Sequence, residues 1–108
     1  MNLTIEPEIA PLRTDRDGVV FVGESRVPID TVIEAYGEGF SAEEIVEQYP
    51  TLPIGDVYAV IAYYHRHQSD VDAYLEGRRQ DADRVRRDYE ARFPPKTGFR
   101  ERLMARRI

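Results

Sequence analysis

Cysteine is absent from this 108-residue chain, which removes disulfide scaffolds, CxxC zinc sites and thiol catalysis together. No apolar run approaches the roughly 20 residues that span a bilayer. Met1-Asn2-Leu3-Thr4 shows no signal-peptide pattern, so the expectation is a cytoplasmic protein without a membrane partner. The seven glycines (18, 23, 37, 39, 55, 77 and 98) are scattered and build no phosphate-binding loop. The two histidines, His65 and His67, stand two apart on a predicted helix. They face different directions and cannot chelate one metal together. Neither Glu43-Glu44 nor Asp81 with Asp83 has the spacing of an acid–base pair. No catalytic residue, cofactor, metal or small-molecule substrate is expected.

What the chain does have is charge, unevenly placed. Apolar residues make up 42% and charged residues 32%, a modest core under a highly charged surface in one compact domain. The net charge is −5. Residues 1–68 hold four arginines against twelve acids, a balance of −8, whereas residues 69–108 hold eleven basic groups against eight acids. The last fifteen residues carry five basic groups and one acid, Glu101. A basic end on an acidic body suggests that the end meets something acidic; a solvated tail accounts for the charge alone equally well.

The order of elements follows from turn and cap signals. Ile9 to Thr14 and Val19 to Val22 read as two arms of a hairpin around Asp15-Arg16-Asp17-Gly18, with Gly18 supplying a positive φ. Pro7 and Pro11 make the first arm an edge strand. Two strands alone are marginal, so they must pack on helices or pair with a second copy of the chain. Asp30 is placed as N-cap of a first helix of about eight residues, apolar at Val32, Ile33 and Tyr36 and stopped at Gly39. Ser41-Ala42-Glu43-Glu44 is a capping box opening a second helix, with Ile45, Val46 and Tyr49 inward and Pro50 at its end. Leu52 pins the turn, and Pro53 fits the first turn of a third helix that runs to about His67. That helix buries some of Ile54, Val57, Tyr58, Ile61 and Tyr64. Ser69 is placed as cap of a fourth helix to about Arg92, roughly 36 Å long at 1.5 Å per residue. Its apolar positions Val71, Leu75, Ala82, Val85 and Tyr89 form a narrow seam of the kind a partner helix or groove completes. Pro94-Pro95-Lys96-Thr97-Gly98 then breaks the helix.

A helix, a turn and a second helix over Arg26 to Tyr64 form the usual device for laying side chains into a DNA groove. The same arrangement also closes an ordinary helical core. The DNA-facing candidates are Arg13, Arg26, Thr51, Tyr58 and Arg66, with Arg16 also basic. The third helix has no Lys or Arg before Arg66, and a −8 body repels phosphate. DNA binding would require these arginines to be gathered from two copies, and the residues alone slightly favour a purely structural helix-turn-helix.

The block from Gly23 to Tyr64 resembles the family catalogued as domain of unknown function 433. The features that carry the resemblance are Gly23-Glu24-Ser25-Arg26-Val27-Pro28-Ile29, Asp30-Thr31-Val32, Gly39-Phe40-Ser41, Glu43-Glu44-Ile45 and Tyr49-Pro50-Thr51-Leu52. One departure is Glu24-Ser25-Arg26 where Gly-Thr-Arg is usual, with Gly23 one place earlier. The resemblance implies a homeodomain-like helix-turn-helix, often dimeric, encoded beside a PIN-like ribonuclease. Such members are regarded as antitoxins of VapBC-like pairs, whose folded part dimerises and whose C-terminal extension wraps the toxin.

The tail suits that role on its own chemistry. A PIN-like nuclease gathers carboxylates around a divalent metal, and a presented arginine can occupy such a pocket through charge-assisted contacts. Arg100, Arg102, Arg106 and Arg107 are the candidates, with Val85, Tyr89, Phe93, Phe99, Leu103 and Met104 as apolar anchors. The expected fold is mainly α: an N-terminal β-hairpin and a three-helix homeodomain-like helix-turn-helix core over residues 1–68, a long fourth helix over 69–93, and an extended basic tail over 94–108. The expected function is a homodimeric antitoxin of a PIN-like ribonuclease that can also regulate its own promoter. The alternatives are a stand-alone helix-turn-helix DNA-binding transcriptional regulator and a structural adaptor with neither partner.

Overall fold

The computed structural model describes residues 2–93. Its elements are β1 (Leu12–Thr14), β2 (Val20–Val22), α1 (Ile29–Gly37), α2 (Ala42–Gln48), α3 (Ile54–Arg66) and α4 (Gln68–Arg92). The chain is thus mainly helical with a two-stranded antiparallel hairpin ahead of the helices. The expected tail, residues 94–108, lies outside the described residues.

Each boundary has a local cause. In the hairpin turn the Asp15 carboxylate accepts from the backbone N–H of Asp17 and of Val19, both at 2.9 Å, and Gly18 takes φ 84°. The strands pair Leu12 with Val22, Arg13 with Phe21 and Thr14 with Val20. The first arm is shorter than expected, beginning at Leu12, because Pro11 has no N–H to extend the ladder. After β2 the chain reverses again. Val22 N–H bonds the Val27 carbonyl at 2.9 Å, and the Ser25 hydroxyl donates to the Val22 carbonyl at 2.6 Å. Gly23 is essential to this second turn. Its φ is +55°, which strains any residue with a side chain, and a Cβ there would lie 2.7 Å from Asp56 Oδ2, so that carboxylate would have to swing aside.

Three of the four helix starts, those of α1, α3 and α4, are displaced by a residue or two from the reading of the sequence. Pro28, not Asp30, occupies the N-cap of α1; Asp30 sits in the first turn, where a carboxylate complements the positive helix end. Pro53 is the N-cap of α3 rather than part of its first turn. Ser69 lies inside α4: the helix begins at Gln68, and Val71 N–H already bonds the His67 carbonyl at 3.0 Å. The Ser41 capping box is present in both halves, with Glu44 N–H donating to the Ser41 hydroxyl and Ser41 N–H to the Glu44 carboxylate. Gly39, with φ 99°, follows the C-cap of α1.

Two compact units divide the chain at Val71/Asp72. The core of the first is aliphatic: Val22, Ile29, Val32, Ile33, Ala42, Ile45, Leu52, Val57, Val60 and Val71 are buried. On α3 the buried positions are Val57 and Val60; Ile61 and Tyr64 are half-buried, while Ile54 and Tyr58 are exposed. The buried stripe therefore runs through Val57 and Val60, on a helix that α1, α2 and β2 all contact. Leu52 is buried, as the turn between α2 and α3 requires. The second unit is the continuation of α4, whose residues from 79 to 93 are all exposed.

Candidate nucleic-acid and partner interfaces

The turn that follows β2 decides what Arg13 can do. Its guanidinium donates from Nε to the Gly23 carbonyl at 3.0 Å and from Nη2 to the Ser25 carbonyl at 2.5 Å. Its Cζ also lies 4.8 Å from the Phe21 ring centroid. A planar fork is what two neighbouring carbonyls need. Arg13 is thereby fastened to the fold, and a phosphate contact would cost these bonds.

Arg26 and Thr51 are brought together. Both line a shallow depression at the start of α3 with Glu24, Pro53 and Asp56. Arg26 is exposed, with Cζ 6.0 Å from the Phe21 ring, which the two arginines flank. Two carboxylates against one guanidinium leave this depression acidic. Tyr58 points elsewhere: its hydroxyl donates to the Glu43 carboxylate on α2. That hydrogen bond holds Glu43 below the usual 4.5 and pushes the Tyr58 phenol above 10.0. Arg66 lies twelve residues along α3 from Ile54, roughly 18 Å at 1.5 Å per residue. It lines a different groove, with Glu8, Ile9, Ala10, Pro11, Ala59, Ala62, Tyr63 and His67. One surface of the chain therefore holds Arg26 and Thr51, and the other candidates are apart from it.

Sequence reasoning left the aromatic contacts of the histidines unseen. Tyr36 Oη and His65 Nε2 are 2.6 Å apart with the rings edge-to-face, and Tyr63 stacks on His67 at 4.1 Å between centroids. The second pair has a visible signal in the i, i+4 spacing. The first joins α1 to α3 across 29 positions, and no local pattern announces it. Among the described residues no cluster of acids and histidines could hold a metal ion.

On α4 the second candidate surface is simpler. Arg79–Glu76, Arg84–Asp81 and Arg86–Asp83 form three ion pairs at i, i+3, 2.7–3.0 Å long. Each is exposed and stabilises the helix by about 0.3–0.5 kcal/mol. Val85, Tyr89 and Phe93 recur every four residues, 64–66% exposed, and the rings of Tyr89 and Phe93 are 5.1 Å apart. The remaining partner candidates, Phe99, Arg100, Arg102, Leu103, Met104, Arg106 and Arg107, lie outside the described residues.

The segment from residue 16 to residue 64 matches the family model described as Protein of unknown function (DUF433). The match opens in the hairpin turn and closes near the end of α3. It includes Arg26, Thr51 and Tyr58, and excludes Arg13, Arg66 and all of α4. No curated protein and no solved structure matches the chain.

Proposed function

We propose that this protein is the antitoxin of a VapBC-like pair, and that it neutralises a PIN-like ribonuclease through α4 and the basic residues that follow. The observation that supports this most directly is the Val85, Tyr89, Phe93 row. Three large apolar side chains of α4 stand exposed in the second unit. A folded monomer gains nothing from exposing them, whereas a partner's groove covers such a row at i, i+4 and i+8. The charge agrees: residues 94–108 carry four more positive than negative groups, and the nuclease centre they would enter is acidic.

Promoter binding is the secondary part of the proposal. It rests on Arg26 and Thr51, which share the depression at the start of α3. The alternative of a stand-alone DNA-binding regulator draws on the same two residues and meets the same difficulty, an acidic surround.

Co-expression with the small open reading frame beside this gene, followed by pull-down and an RNA-cleavage assay, tests the reading. Co-purification of a PIN-like nuclease is expected, with its activity suppressed. Removal of residues 94–108, or the pair Val85→Asp and Tyr89→Asp, is expected to release the nuclease. Full neutralisation by both variants would refute the proposed surface. A salt-dependent gel shift on upstream DNA without any co-purified nuclease would move the assignment to the regulator.

A further inference from the structure

Residues 2–10 precede the hairpin and belong to no helix or strand. Their sequence nevertheless alternates perfectly. Leu3, Ile5, Pro7 and Ile9 fall on one side of an extended chain, and Asn2, Thr4, Glu6, Glu8 and Ala10 on the other. Leu3, Ile5 and Ile9 are 88%, 88% and 95% exposed. No other part of the compact unit leaves three aliphatic side chains so bare. Among the described residues, the backbone of residues 2–9 makes no hydrogen bond within the chain. Pro7 and Pro11 hold the residues before them extended, which stiffens the arm. An apolar, alternating, unpaired segment is a strand without its sheet.

A complementary surface lies on the same unit. The groove that contains Arg66 runs along the outer side of α3, floored by Gly55, Ala59 and Ala62 and closed by Tyr63 and His67. Its other wall is the root of the arm, Glu8 to Pro11. Small residues let a backbone approach closely. The six extended residues 2–7 reach about 20 Å, the length of a thirteen-residue helix. The charges match in one direction only. The arm carries Glu6 and Glu8 and no cation, while the groove has Arg66 and His67 toward the end of α3 and Asp56 at its start.

We propose that two copies of this chain exchange their N-terminal arms, residues 2–7 of each lying in the α3 groove of the other with Glu6 toward Arg66, while Glu8 to Pro11 remain the wall of their own groove. A second copy is the occupant the geometry favours because the wall of each groove is itself the root of an arm. One two-fold axis then buries both arms through the same contacts. Ile9 of each copy meets the other's arm beside Ala59 and Ala62. The inference does not depend on the antitoxin reading, since the arm and groove lie apart from the Val85 row in sequence.

Light scattering coupled to gel filtration of the full chain, over a concentration series, tests it. The native chain is expected at twice its 12.5 kDa. The triple variant Leu3→Asp, Ile5→Asp, Ile9→Asp is expected at the mass of one chain, with unchanged far-UV circular dichroism because none of the three is in the core. Ala62→Glu, on the groove floor, is expected to give the same loss of dimer. A native monomer at every concentration would overturn the proposal, the arm then serving its own chain or a different protein. So would a dimer that survives either variant, which would place the interface elsewhere.

Discussion

Arg13 offers the sharpest separation between a residue that builds the fold and one that contacts a ligand. Replacing it with Ala removes two charge-assisted hydrogen bonds, to the Gly23 and Ser25 carbonyls, and the stacking over Phe21. Hydrogen bonds involving a charged group contribute about 1.5–3 kcal/mol each when buried. Arg13 is only part-buried, so the lower end applies, and the ring contact adds about 0.5 kcal/mol. The contributions share one side chain and do not add fully, so the expected loss is about 2–3 kcal/mol. Against the roughly 4–11 kcal/mol total of a domain of some seventy residues, that is a large fraction. Arg13→Lys keeps the charge but cannot bridge both carbonyls, and about half the loss is expected to remain. Urea unfolding followed by far-UV circular dichroism measures both, with Arg26→Ala as the exposed control expected within about 0.5 kcal/mol of native. A native-like midpoint for Arg13→Ala would refute the structural role. A role in phosphate contact predicts that result instead, together with a salt slope for DNA binding shallower by about one.

Three further outcomes follow from the same structure. Ile45→Ala, at a fully buried position of α2, should cost about 2–5 kcal/mol in urea unfolding; a cost under about 1 kcal/mol would mean that the site collapses freely. Gly77→Ala places its Cβ in open space at an ordinary helical φ, so α4 should gain about 0.5–1 kcal/mol, read as a higher melting temperature of the helical signal. Its failure would show that the glycine serves a bend. Tyr58→Phe removes the bond that lowers Glu43 and raises Tyr58. The lowered Glu43 contributes stability above 4.5 that is lost as pH falls through its folded value. The raised Tyr58 contributes below 10.0 and is lost as pH rises through its own. An NMR titration of the Glu43 carboxyl should therefore move up toward 4.5 in Tyr58→Phe, and an unmoved titration would remove the bond as the cause.

Most of the fold could be read from the chain because its punctuation is local. The Asp15 to Gly18 turn, the Ser41 capping box and the Pro50–Pro53 break each act within a few residues, and each appears where expected. The errors also share a physical pattern. Asp30 and Ser69 are good capping residues, yet helix starts were set by neighbours, Pro28 and the carbonyl of His67. Ile54 and Tyr58 have the right spacing to be buried, yet the helix, contacted by α1, α2 and β2, buries Val57 and Val60. The candidate site was legible in type rather than in placement. The row of Val85, Tyr89 and Phe93 was visible as an apolar seam at four-residue spacing on a long, highly charged helix. Arg13 could not be assigned, since its acceptors are ten and twelve residues away and depend on a turn built around Gly23.

The charge distribution constrains any anionic partner more than the arrangement of α2 and α3 does. Residues 72–93 hold six arginines and six acids, and three of those arginines are already paired within the helix. The uncompensated positive charge thus lies beyond residue 93, whereas α3 has one arginine and the unit around it is strongly negative. A nuclease pocket and a DNA backbone are both acidic, and both should be drawn to the same end of this chain. If DNA binding is found, it should therefore survive Thr51→Ala and be lost with Arg100, Arg102, Arg106 and Arg107. Recognition through α3 demands the reverse. A gel shift abolished by Thr51→Ala and Arg26→Ala but indifferent to the four distal arginines would show that groove reading outweighs the field of the whole chain, and that the acidic unit overcomes its own repulsion by local contacts.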